Sequence, residues 1–182
     1  MLDFPDPTPE LARREIDRDP VCRGMAPEDR VALLQAAWAF GREQGARWAP
    51  PGGSGMAPAI AAAGASVEED ERALAEWGGF VSEYDSRRAL IILHGGALRQ
   101  WHESMGIAVE EAREIALAHE LFHHLDCTGR LAPWASVAIP PGRILGLFPV
   151  RRRPRGVLEA CAHAFASCVA DTTQSEPRPE GR

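Results

Sequence analysis

His119, Glu120 and His123 stand in the order His119-Glu120-Leu121-Phe122-His123, an H-E-x-x-H pattern. On a helix, residues four apart lie about 40° from one another around the axis. Both imidazoles then project from one face and can hold one metal ion at ~2.0–2.1 Å. Glu120 sits one residue's rotation away, where it can reach a water on that ion without ligating it. A zinc ion held there would lower the water's pKa and polarise a carbonyl, with Glu120 taking the proton. Five-residue matches of this kind also arise by chance, so the context has to support them. Here residues 109–126 read as a helix: Ala112, Ile115, Ala116 and Phe122 recur at helical spacing, and Glu110, Glu111 and Glu114 load the N-terminal end.

A catalytic zinc takes a third protein ligand and keeps one position open. The extended pattern H-E-x-x-H-x-x-G-x-x-H would need a glycine where Asp126 stands and a histidine where Gly129 stands, so that class is out. Glu159 is the only acidic residue between Asp126 and Asp171, on a segment of small apolar residues. A carboxylate buried alone is costly unless it is paired or metal-bound. Glu159 is therefore the expected third ligand, the alternative being a partner for Arg152, Arg153 or Arg155. His163, four residues on, shares its helix face and is expected to support a zinc-bound histidine, with direct ligation as the rival role. His124 points about 100° away from the ligand face and is read as a supporting or surface group. Tyr84 could steady an oxyanion, but a strand-end tyrosine at the surface is the simpler reading. Cys127, one turn beyond His123, could approach the metal, though a small buried residue at a helix end is the commoner case. His94 ends the strand beside the active helix and could meet substrate, but a loop histidine is the simpler reading for it, as for His102.

These residues resemble the ImmA/IrrE-type metallopeptidases, a gluzincin-like group of the zincin fold. The resemblance spans roughly residues 57–170. It rests on the strand at 89–93, the HELFHH core at 119–124, and E-x-x-A-x-x-F-A at Glu159, Ala162, Phe165 and Ala166. It implies zinc on His119, His123 and Glu159, with Glu120 as the catalytic base. The chain departs from the family pattern at His163, where Asn or Asp is usual, at Phe122, where Gly is frequent, and at Ser167–Ala170, where Leu-Leu-Met-Pro commonly stands.

The elements that must position these groups are legible in outline. Thr8 caps a helix that starts at Pro9, and a longer helix starts at Pro27 and ends by Gly45. Residues 49–58, APPGGSGMAP, read as a linker. A short Ala-rich helix over 57–63 ends at Gly64, and residues 65–67 form a first short strand. Residues 79–84 and 89–93 are strands joined by a turn at 85–88. Residues 127–142 read as loop, and a last helix covers 156–170. The expected division is a helical extension over 1–48, the linker over 49–58, a zincin-like domain over 59–170 and a disordered tail over 171–182. The expected class is α+β, with a small twisted sheet packed on the active-site helix.

Composition narrows the function. The chain has 182 residues, about one domain's worth. It contains no lysine, so its 20 basic residues are all arginine, and Schiff-base and P-loop chemistry are excluded. A net charge of −6 argues against nucleic-acid binding, and the Arg151–Arg155 run reads as a solvated loop. Four scattered cysteines make no disulfide framework. Without a signal peptide or a membrane-spanning run, the expected compartment is the cytoplasm. The expected function is a zinc-dependent peptidase acting on a peptide or protein substrate, with a partner protein left open. The rivals are a metal-binding regulatory or interaction module with little or no proteolytic activity, and a helical protein carrying a chance motif.

Overall fold

The computed structural model describes residues 7–50, 54–71, 80–137, 142–144, 148–150 and 153–174. Its elements in chain order are α1 (Pro9–Arg18), a 3-10 turn (Cys22–Gly24), α2 (Pro27–Trp48), α3 (Ala57–Ala63), β1 (Ser66–Asp70), β2 (Ser82–Asp85), β3 (Leu90–His94), α4 (Gly95–Met105), α5 (Val109–Cys127), α6 (Pro133–Ser136), β4 (Gly142–Ile144), β5 (Phe148–Val150) and α7 (Arg155–Gln174). The class is α+β. Two of the strands, β4 and β5, form a separate antiparallel ribbon. The other three form a mixed sheet in the order β1-β3-β2, parallel between β1 and β3 and antiparallel between β2 and β3.

The centre of the molecule is α5. From Ile115 to Leu125 it is buried almost all round, leaving only His123 partly exposed. A helix apolar on every face needs neighbours on every side. The sheet supplies one, through β2 and β3, and α3, α4 and α7 supply the others. Burial of Leu90, Ile91 and Leu93 makes β3 the inner strand of this layer.

The helix carrying Glu159 is held from its far side by the N-terminal helices, which share its hydrophobic core. Contact with α2 is close because two of its glycines, Gly41 and Gly45, face α7. A Cβ at Gly41 would overlap the Cys161 carbonyl oxygen and lie 2.6 Å from Ala164 Cβ. One at Gly45 would lie 2.6 Å from the Phe165 carbonyl oxygen. The four-residue spacing puts both glycines on one stripe, so the backbones approach where side chains would keep them apart.

Several expectations change. Helix α7 continues past residue 170 to Gln174, and Asp171 is bound there by Arg42 at 2.7 Å. Residues 171–174 are therefore helical, while 175–182 lie outside the described residues. The 57–63 helix forms as expected, with Gly64 at φ 86° ending it, so the last two positions of the linker reading are helical. Residues 51–53 of that reading, and Gly79 at the start of the expected second strand, lie outside the described residues. Two further helices interrupt segments read as loop, α4 and the one-turn α6. His102 is thus helical, and His94 closes β3 with 2% exposure. Among the described residues no helix is long and apolar enough to cross a membrane.

The α2–α7 contact gives the first prediction. Gly41→Ala should destabilise the protein by about 1–3 kcal/mol, the usual cost of overpacking a close contact. Gly24→Ala, whose added Cβ meets nothing within 4 Å, should be near neutral. Thermal or urea unfolding of the two variants measures the difference.

Candidate metal centre

The three residues picked out by type and spacing meet at one point. His119 and His123 project from α5, one turn apart, with their Nε2 atoms 3.2 Å from each other. Glu159, from α7, places Oε2 3.3 Å from His119 Nε2 and 3.5 Å from His123 Nε2. Three donors on a tetrahedral ion at ~2.0–2.1 Å are about 3.3–3.4 Å apart. The triangle formed by the side chains therefore has the size that such an ion requires. Two imidazole nitrogens and one carboxylate oxygen are also the donor types that zinc accepts.

Glu159 and His123 favour each other's charged forms. Burial opposes ionisation of Glu159, but hydrogen bonds and charge from His119 and His123 outweigh it and hold the carboxyl far below its ordinary range. Burial likewise disfavours a charged His123, yet the Glu159 hydrogen bond and charge win and raise its pKa. The other Glu159 oxygen, Oε1, lies 3.3 Å from Arg155 Nε, so the arginine pairing also exists. One carboxylate oxygen thus meets the two histidines and the other meets the arginine. Arg155 is 86% exposed, so this pair is weak in water.

Glu120 lies beside the triad with 6% exposure. Its Oε1 accepts a hydrogen bond from Ser82 Oγ at 2.8 Å. Ser82 belongs to β2, the edge strand beside α5, and the sequence reading did not find it. A lone serine in a short strand gives no local signal, since the pairing spans 38 positions. Ser82, Tyr84, Glu120, His163 and the triad all line one cavity of about 850 Å³, and Leu11 of α1 adds to its wall.

The flanking residues take different places from those expected. His124 points away from the triad, as its helical phase predicts, but is buried at 1% exposure and so is not a surface group. Its Nε2 meets the Ala63 carbonyl oxygen at 2.9 Å and its Nδ1 meets the Tyr84 hydroxyl at 2.8 Å. In the neutral ring Nε2–H donates to the carbonyl, so Nδ1 accepts and the tyrosine donates. Tyr84 is therefore half-buried and tied to α5, not a surface residue. Cys127 is exposed and lines the cavity mouth instead of filling a helix end. In the arginine run, Arg153 lies over the Trp134 ring at 5.6 Å, and Arg151 and Arg152 lie outside the described residues. Among the described residues, only His119, His123 and Glu159 form a cluster able to hold a metal.

His163 packs its ring on that of His119, with centroids 4.8 Å apart and planes tilted by 50°. Among the described residues neither His119 Nδ1 nor His163 Nδ1 has a hydrogen-bond partner. A ligating histidine ordinarily donates its second N–H to an acceptor, so His163 meets His119 by ring packing and not by the hydrogen bond expected of a supporting group.

No family model matches the chain, and no curated protein or solved structure does so either.

Burial, with a smaller contribution from His119, pushes the His163 imidazole down to about 3 from the ordinary 6.5. Between those values the unfolded chain binds a proton that the native protein does not, so stability falls as the pH drops through this window. His163→Phe should flatten that fall in the metal-free protein. Urea midpoints of both proteins from pH 7 to pH 4 would show it, and parallel curves would contradict it.

Proposed function

We propose that the protein is a zinc-dependent peptidase of zincin-like fold, related to the ImmA/IrrE-type metallopeptidases. The observation that carries this reading is the convergence of His119 Nε2, His123 Nε2 and Glu159 Oε2 in a cavity that also holds Glu120. His119, His123 and Glu159 would hold the ion. When bound, zinc would acidify a water and polarise a peptide carbonyl.

The remaining steps belong to the chain's own side chains. Glu120, aimed by Ser82, takes a proton from water as the water oxygen bonds to the carbonyl carbon. It then passes that proton to the nitrogen as the C–N bond breaks, leaving a carboxylic acid and an amine. A substrate in extended form can lie along β2, which among the described residues pairs only with β3 and whose residues Ser82–Tyr84 border the cavity. Backbone hydrogen bonds along such an edge bind a peptide without demanding a particular sequence. We take the cytoplasm as the compartment, since Cys22, Cys127, Cys161 and Cys168 are all unpaired thiols.

A specific observation also favours the metal-binding module with little proteolysis. The Tyr84 hydroxyl is committed to His124, so its proton is not aimed into the cavity. The two readings separate on Glu120. In the peptidase, Glu120→Gln keeps one zinc per chain and lowers cleavage of an unstructured protein substrate by at least about 100-fold, the scale of general-base loss. Ser82→Ala should lower kcat/KM by about 10-fold with zinc content unchanged, the effect of losing one hydrogen bond to a charged group. A wild-type protein that binds zinc and cleaves nothing would favour the module. Absence of zinc, with His119→Ala as stable as the wild type, would leave the motif a chance one.

A further inference from the structure

Pro154, which precedes α7, and Arg155 and Gly156, which begin it, carry no side-chain acceptor that could cap its first turn. The first N–H groups of a helix need acceptors from elsewhere. One comes from Asp19, which ends α1 and lies 137 positions away in sequence. Asp19 Oδ2 accepts from Gly156 N at 3.0 Å. Its Oδ1 accepts from Val21 N at 2.8 Å and Cys22 N at 3.3 Å, at the start of the 3-10 turn. Its own N–H donates to Glu15 O at 3.1 Å, and its carbonyl accepts from Arg23 N at 2.9 Å. The residue is 7% exposed.

Gly156 makes this junction close. A Cβ there would overlap the Glu15 carbonyl oxygen and lie 3.0 Å from Asp19 Cβ. The end of α1 and the start of α7 are therefore in backbone contact. Glu159 follows Gly156 by three residues, on the neighbouring stripe of the helix. Whatever fixes the first turn of α7 along its axis also fixes how far Glu159 reaches toward α5. A tetrahedral site tolerates errors of only ~0.2 Å in its donors, so a small axial shift of α7 is enough to disturb it.

We propose that Asp19 is a positioning residue for the metal centre: by capping α7 from α1, it sets the place of Glu159 against His119 and His123. The proposal rests on the metal-centre reading above, and its test separates the two. Asn at position 19 keeps the volume, and its one oxygen can still serve Val21 and Cys22. Its amide nitrogen then faces the Gly156 N–H, donor against donor, so the link to α7 is lost together with the negative charge, while the links to the 3-10 turn remain.

The experiment titrates Zn²⁺ against a chromophoric chelator, and records the visible spectrum of the Co²⁺-loaded protein, for wild type, Asp19→Asn and Asp19→Ala. Thr8→Ala, which removes the α1 cap to Leu11 N at 3.3 Å, serves as a control for destabilisation alone. All proteins are measured well below their melting temperatures. The folded fraction is then near one, and loss of stability by itself cannot change affinity. Asp19→Asn should weaken zinc binding by about 10-fold, as loss of an outer support typically does, and should alter the Co²⁺ spectrum. Thr8→Ala should leave both unchanged. If wild type binds one zinc and Asp19→Asn binds it equally well with the same Co²⁺ spectrum, Asp19 is only a structural cap. If Asp19→Ala fails to fold, the Asn variant decides. If wild type binds no zinc, the metal-centre reading itself fails.

Discussion

Everything about this protein turns on one convergence: a carboxylate oxygen from α7 held 3.3–3.5 Å from two imidazole nitrogens of α5. Those nitrogens are 3.2 Å from each other. Such a group is costly to assemble, since each member loses water and two share a charge preference. It is stabilised when a cation, a proton or a metal ion, sits among the three. Glu159 is held below its ordinary range by the two histidines and His123 is raised by Glu159, so carboxylate and imidazole favour each other's charged forms. The fold has to keep two helices from drifting apart at that point.

It does so by packing at a distance from the site. Helix α5 is fixed by burial on all sides, so its histidines have little freedom. Helix α7 is fixed from behind, by α2 through Gly41 and Gly45, and at its start by Asp19 and Gly156. The N-terminal helices thus contribute to the core against which the Glu159 helix rests. On the other side β2 brings Ser82 to Glu120 and Tyr84 to His124, so the strand both orients Glu120 and braces α5.

Part of this was legible in the sequence because it is local. H-E-x-x-H lies within a single turn, and the lone Glu159 on a small-residue helix signals its own need for a partner. Thr8 and Pro9, Gly64, and the span of α5 follow from capping and periodicity. Asp19, Ser82 and the glycines of α2 were not legible, since each acts on a residue far away in sequence. Helix α4 was missed because Gly95-Gly96 is a poor helix start. Burial of Ala97, Leu98 and Trp101 overrides that propensity. His124 and Cys127 were misplaced for a related reason. Helical phase says which way a side chain points but not whether another element covers it there, and here α3 and β2 cover His124 while Cys127 is left at the cavity mouth.

The shared ion among His119, His123 and Glu159 is most directly tested by X-ray absorption at the zinc edge of the purified protein loaded with one equivalent of Zn²⁺. A four-coordinate ion at ~2.0–2.1 Å with scattering from two imidazole rings is the expected result, with one ring lost in His123→Ala. An ion surrounded by six oxygens, or a spectrum unchanged in His123→Ala and Glu159→Gln, would contradict it.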